Sequence, residues 1–340
     1  MLVAYFLHAR RVGPLATLDV PRVAAALILL SAIMVGSNGG PLVADEAAAS
    51  QVSAQPTPPI AAGFFYPWYP SHWTENRVYP YTNFTPSLGF YSSTDDATIR
   101  EQLANAEHAH LEALIVSWFQ QGELTDVSFR HIMSVAENAG SPMKFSAYYE
   151  PEGYTDPAVS QIVSDLQYLA SNAFNSPTYL HAYGKPVLFV YGSGNEGCSL
   201  SDRWLEARRQ SGIDVFIVLK VFPGYRDCAG QPESWHQYSP TAAYDAQLPY
   251  SVSVSPGFWK AGAQPILSRD PLTFETAVRW MSVTGAFFQL VTTWNEWAEG
   301  TAVEPAAEYG STYVEILCRN LPGTTPCATT MSATSIEPSP

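Results

Sequence analysis

Charge is scarce in this chain, and positive charge is scarcer. Only 14% of its 340 residues are charged, and 17 Lys and Arg face 31 Asp and Glu, for a net charge of −14. Such a field repels polyanions, which excludes nucleic acid as a partner. Cysteine is limited to four. None forms a Cys-x-x-Cys pair or has a His at ligand spacing, so no zinc site is expected. HExxH and EF-hand patterns are absent too, and neither a metal nor another cofactor is expected. Without a Gly-x-Ser-x-Gly elbow, serine-hydrolase chemistry is disfavoured. What the chain does have is aromatic surface: Trp 9, Tyr 19 and Phe 16 within a 46% hydrophobic composition. That excludes a disordered protein. Aromatics with few charges suit carbohydrate, whose C–H faces lie on such rings, although most aromatics fill cores.

Arg10, Arg11 and Arg22 precede Val23–Val35, an uncharged run of 13 residues. It is shorter than the roughly 18 or more apolar residues that cross a bilayer, and it matches the apolar core of a signal peptide. Residues 1–44 are expected to be a signal peptide or, alternatively, an uncleaved anchor, which would be the chain's tie to a membrane. Export follows either way, so the protein is expected outside the cytoplasm. The Ala/Ser/Pro-rich stretch 45–61 reads as a flexible linker, and 321–340 as a disordered tail. All four cysteines lie in the exported part, where an even count suggests two disulfides. The sequence-local pairing, Cys198–Cys228 with Cys318–Cys327, is one of three connectivities that four cysteines allow.

Between linker and tail, strand and helix patterns alternate. Strands are expected at Gly63–Trp68, Ala113–Trp118, Lys144–Tyr149, Val187–Tyr191, Val215–Leu219, Ala242–Tyr244, Val252–Ser255 and Phe287–Thr293, most of them continuous apolar runs. Runs of this kind suit parallel strands covered on both faces. Helical spacing marks 97–109, 125–139, 157–173, 202–210, 272–283 and 312–317. The pattern predicts an α/β fold, a single-domain (β/α)8 TIM barrel over 62–320, irregular around strand 6, where the following helix is missing. A doubly wound sheet is the alternative, but no glycine-rich phosphate fingerprint follows the first strand. Active sites of such barrels lie at the C-terminal strand ends. Tyr69, Trp118, Glu150, Tyr244, Trp294 and Asn295 stand there.

Directly after the last strand come Trp294-Asn295-Glu296-Trp297-Ala298-Glu299-Gly300. Two carboxyls three residues apart in an aromatic surround do not ionise equally, because burial and mutual repulsion hold a proton on one of them. An acid beside a base is what glycosidic cleavage needs. A lone Glu-x-x-Glu is more often a capped surface turn; the location and the aromatic frame reverse those odds.

This stretch, with Thr301-Ala302-Val303-Glu304-Pro305, resembles the signature of glycoside hydrolase family 99 and its family-99-like relatives, the endo-α-mannosidase and endo-α-mannanase group. Further stretches resemble the same family: Phe65-Tyr66-Pro67-Trp68-Tyr69, His72-Trp73, Leu88-Gly89-Phe90-Tyr91-Ser92-Ser93, Ile115–Trp118, Tyr149-Glu150-Pro151 and Ser253–Phe258. They follow the family order over about residues 62–317. The resemblance implies that Glu296 acts as base on the substrate's 2-hydroxyl, giving a 1,2-anhydro sugar with retention, and that Glu299 is the acid/base at the glycosidic oxygen. It further implies sugar contacts at Glu150, Trp118, His72 and Tyr244, with an oligosaccharide or polysaccharide as partner. The chain departs from the family pattern at Tyr148, Glu152, Ala298 and Ala302, which leaves the sugar open. The expected protein is thus an exported, monomeric, retaining endo-glycosidase on α-linked, mannose-like glycans. Its alternatives are a glycan-binding barrel without turnover and a polysaccharide-assembly protein.

Overall fold

The structure, a computed structural model, describes residues 54–324, 326 and 327. The expected signal or anchor, most of the linker and the end of the tail lie outside the described residues.

The strands in chain order are β1 (Ile60–Phe65), β2 (Ala113–Trp118), β3 (Lys144–Tyr149), β4 (His181–Ala182), β5 (Lys185–Val190), β6 (Phe216–Lys220), β7 (Ser234–His236), β8 (Tyr244–Gln247), β9 (Ser251–Val254) and β10 (Phe288–Val291). The helices are α1 (Asp96–His108), α2 (Leu124–Ala139), α3 (Val159–Asn172), α4 (Ser199–Ser211), α5 (Pro271–Val283) and α6 (Thr312–Asn320). The sheet order is β7-β6-β5-β3-β2-β1-β10-β9-β8. Strand β1 pairs in parallel with both β2 and β10, so the first and last parallel strands meet. Parallel ladders continue through β3, β5, β6 and β7 on one side and β9 on the other. Eight parallel strands therefore form the (β/α)8 barrel, and β4 and β8 add antiparallel to β5 and β9. No ladder joins β7 to β9 among the described residues. There the Ser253 hydroxyl donates to the Gln237 carbonyl, and the Thr292 hydroxyl donates to the Tyr238 carbonyl at 2.6 Å.

The period of two along each strand sorts side chains into two cores. Phe64, Ile115, Tyr148, Phe189 and Phe288 fill the barrel interior. Leu114, Val116, Trp118, Phe129 and Trp204 pack between strands and helices. Each buried aromatic or aliphatic side chain contributes about 1.5–3 kcal/mol. Helix α1 begins where the Asp95 carboxylate accepts the Thr98 N–H at 2.7 Å, a side-chain cap that satisfies an otherwise orphaned donor.

Two expectations about the fold change. The sixth barrel strand is Ser234–His236, not Ala242–Tyr244; its three residues include two polar ones and carry no apolar run. Tyr244 instead opens the antiparallel β8. Among the described residues no α-helix follows β7, the sixth barrel strand, as expected, and β6 is followed only by the 3-10 turn Tyr225–Asp227. The stretches read as linker and tail are tied down at their inner ends. Ile60 and Ala61 belong to β1, and the Gln55 amide bonds the Tyr179 carbonyl and the His181 N–H, both at 2.9 Å. Leu321 is buried, and Cys327 bonds Cys318.

Candidate active site

The C-terminal strand ends bring Glu150, Glu296 and Glu299 into one mouth with Tyr66, Tyr191, Lys220 and Tyr238. The loop carrying the two motif glutamates is fixed from behind. Asn295 is fully buried; its amide accepts the Tyr66 N–H at 2.7 Å and donates to the Tyr66 carbonyl at 3.1 Å. Arg269 donates to the carbonyls of Gly300 and Ala302, both at 2.8 Å, and stacks on Tyr313 at 4.1 Å. Glu304 accepts the Tyr91 hydroxyl at 2.7 Å and the Gln102 amide at 2.9 Å. Gly300 turns the loop with φ +65°, where a Cβ would also lie 3.1 Å from the Trp259 carbonyl.

Glu296 is 4% exposed and accepts the Ala298 N–H at 3.2 Å. Burial pushes its carboxyl well above the ordinary range, and the charge of Glu299 pushes it further. Glu299 is half-buried and is also raised, by burial, but Lys260 and the Tyr238 hydroxyl at 3.3 Å stabilise its carboxylate. Of the two carboxyls, Glu296 is therefore the one pushed further toward its protonated form. Glu150 is buried, accepts the Ser117 hydroxyl at 2.8 Å, and is pushed up to about 8 by burial. Lys220 ends β6, donates to the Gly192 carbonyl at 2.7 Å and lies 4.3 Å over the Tyr191 ring. Burial lowers it to about 8 against the pull of Glu196 and Glu150. The Tyr191 ring reaches its place because position 153 is glycine; a Cβ there would stand 2.1 Å from the ring.

The other expected contacts divide. His72 is exposed and stacks on Trp68 at 4.4 Å, which in turn packs on Tyr66 at 4.5 Å, so both belong to the rim. Tyr69 is 1% exposed and donates to the Asn295 carbonyl at 3.0 Å; with Asn295 it supports the loop from behind instead of facing a ligand. Trp118 and Trp294 are corrections. Both are fully buried in the outer core; for Trp118 this follows because side chains alternate along β2 and Ser117 takes the inward position. Trp118 donates to Asp126 of α2 at 3.0 Å. Tyr244 is a correction too. It is 53% exposed and pairs with Trp280 at 4.8 Å in a cleft of about 480 Å³ outside the barrel, with Leu272.

Lys220 and Tyr238 were not legible as site residues. Lys220 does carry a signal, a cation directly closing the apolar run Phe216–Leu219. Tyr238 follows β7, whose three residues carry none. Among the described residues, the clusters with metal-ligand geometry include Cys318, which is in a disulfide, and lie away from this mouth.

Known proteins share parts of this sequence and the fold of its barrel. The model for Glycosyl hydrolase family 99 matches residues 72–219, and that for Glycosyltransferase WbsX matches 273–317. A glycoprotein endo-alpha-1,2-mannosidase of Rattus norvegicus is 20% identical over 333 residues, covering 76% of this chain and 71% of that protein. Its counterpart in Mus musculus is also 20% identical, with the same coverage. The solved GH99 endo-alpha-mannosidase of Bacteroides thetaiotaomicron superposes with a TM-score of 0.64 at 20% identity, covering 78% of this chain and 96% of that one. These likenesses define the fold as a (β/α)8 barrel of the kind seen in the solved GH99 structure. More particularly, residues 72–219 are similar to Glycosyl hydrolase family 99.

Proposed function

We propose that the protein is an exported, monomeric, retaining endo-glycosidase acting on α-linked, mannose-like glycans. The observation that carries this reading is the convergence of Glu150, Glu296 and Glu299 in one aromatic mouth at the C-terminal strand ends. Structural ion pairs seldom gather two buried carboxyls and a half-buried third without a matching number of cations, and raised carboxyls cluster where proton transfer is needed. The two disulfides suit an oxidising compartment, which supports export.

Glu296, once ionised, takes the proton of the 2-hydroxyl of the sugar. The 2-oxygen then attacks C1 as the C1–O bond to the leaving sugar breaks, and Glu299 delivers a proton to the departing oxygen. In the second half, water attacks C1 from the face the leaving group vacated; Glu299 accepts its proton and Glu296 returns one to the 2-oxygen. Two inversions give net retention. Glu150, held by Ser117, offers a hydrogen bond to a sugar hydroxyl.

The charge distribution favours a second assignment with the roles exchanged, because burial and the Glu299 charge both favour the protonated form of Glu296. One experiment separates these. The full chain and its Glu296→Ala and Glu299→Ala variants are given α-mannans and α-glucans, then an aryl α-mannobioside with a good leaving group. Release of oligosaccharides by the parent alone supports the hydrolase. Rescue of Glu299→Ala, and not Glu296→Ala, on the aryl substrate identifies Glu299 as the acid, since a good leaving group needs no proton. Rescue of Glu296→Ala exchanges the roles. Binding of glycan by the parent without release sinks the hydrolase reading for those substrates.

A further inference from the structure

A second concavity lies beside the mouth, at the C-terminal ends of the neighbouring strands β3 and β5. It measures about 270 Å³ and is bordered by the loop after β5 and the start of α4. We infer that this basin, lined by Asp156, Ser193, Asn195, Glu196, Ser199 and Arg203, is a distal subsite of the same cleft that takes one neutral hexose ring of a longer glycan.

Three observations carry the inference. The first is continuity. Lys220 bonds the Gly192 carbonyl at 2.7 Å, and the Glu196 carboxylate packs against Gly192 from the basin side, 3.4 Å from where a Cβ would stand. The same ammonium feels both Glu196 of the basin and Glu150 of the mouth, so a single side chain borders both.

The second observation is chemistry. Hydroxyls and an amide from Ser193, Ser199 and Asn195 both donate and accept, while carboxylates and a guanidinium face one another. Sugar hydroxyls also do both. The acids Asp156, Glu196 and Glu152 outnumber the cations Arg203 and Lys220, which disfavours a uronate and leaves a neutral ring. The volume stands just below the usual range of small-ligand sites, enough for a ring and too small for a chain.

The third observation is rigidity with spare bonding capacity. The disulfide Cys198–Cys228 ties the basin loop to the segment after β6, and the Ser201 hydroxyl donates to the Gly230 carbonyl at 2.8 Å. Glu196 takes the N–H groups of Ser193 and Gly194, both at 2.6 Å. Arg203 is anchored by the buried Glu152, which also accepts the Trp204 indole N–H at 3.0 Å, and it approaches Asp156 at 3.6 Å. Its Nε is buried and has no partner among the described residues. Order and an unused donor are what a sugar subsite needs before the sugar arrives.

The subsite rests on the glycosidase reading for its substrate class, and the test keeps the two apart. The probes are α-1,2- and α-1,6-linked manno-oligosaccharides from disaccharide to hexasaccharide. Their hydrolysis is followed with the full chain, and their affinity by calorimetry on the Glu299→Gln variant. Each is repeated with Asn195→Trp, which fills the basin, and with Asp156→Ala, which leaves it open with one acceptor fewer. Both positions are exposed, and thermal unfolding checks that both variants fold. The expected result is a hexasaccharide-to-disaccharide affinity ratio about tenfold lower in Asn195→Trp, the size of one lost subsite. A smaller drop is expected in Asp156→Ala. A ratio equal to the parent's in Asn195→Trp overturns the subsite, even if hydrolysis is robust. A lowered ratio without hydrolysis of any probe keeps the subsite and removes the hydrolase. No binding of any probe overturns both.

Discussion

Asn295 holds Tyr66 by both polar groups of its backbone, accepting the N–H at 2.7 Å and returning a bond to the carbonyl at 3.1 Å. These two residues lie just past the first and last strands of the barrel. A single carboxamide therefore fixes the height of the Glu296 loop against β1, and Glu296 inherits its place from a neighbour that no solvent reaches.

Asn295→Ala leaves two buried backbone groups unpaired, at a loss of about 2–4 kcal/mol in urea unfolding. Asn295→Asp keeps the acceptor and lacks the donor, so it falls between parent and Ala. Hydrolysis should fall with both variants while each remains folded at low temperature. An Ala variant as stable as the parent would show that the clamp is incidental.

Glu304 supplies a pH dependence with a definite sign. Burial lifts its carboxyl from the ordinary 4.5 to about 7. Below 4.5 folded and unfolded chains both keep the proton. Between 4.5 and 7 only the folded chain does, so stability falls as pH rises. Above 7 the dependence ends, after a loss of roughly 3 kcal/mol from this group. Glu150, raised to about 8, extends the decline by another unit. Unfolding measured across this window should show the parent losing stability, and Glu304→Gln losing about 3 kcal/mol less.

Tyr238 donates to Glu299 at 3.3 Å and favours its ionised form. Tyr238→Phe removes that bond, so the proton on Glu299 is held to higher pH. The limb of the pH–rate profile governed by Glu299 should move up by up to about one unit, and the maximal rate should drop roughly tenfold. An unmoved profile with a reduced rate would assign Tyr238 to substrate contact instead.

Trp118 and Tyr244 form a contrasting pair. Trp118→Ala empties a fully buried site and breaks the bond to Asp126, at about 3–5 kcal/mol of stability. Tyr244→Ala changes an exposed residue outside the barrel, so stability stays within about 1 kcal/mol and hydrolysis is retained. Loss of hydrolysis in Tyr244→Ala, measured on a folded variant, would return that residue to the site.

Much of this protein is set locally along the chain. Ala113–Trp118 and Lys144–Tyr149 are strands at the predicted bounds because a mostly apolar run bounded by polar turns has one stable home, a parallel strand covered on both sides. Asp95 starts α1 through its own side chain, and the motif after β10 places Glu296 and Glu299 within one loop. Such features depend on residues a few positions apart. The tertiary structure decided what depends on which way a side chain points and on what lies across the barrel. Trp118 and Ser117 are adjacent in sequence, yet the pleat sends one to the helices and the other to Glu150. Strand β7 is three residues without a hydrophobic signature, held in place by its neighbour β6, and it alone delivers Tyr238 to Glu299. Lys220 becomes a site residue only because β6 stands two strands from β3 in the closed sheet, where burial gives one ammonium two glutamates to answer.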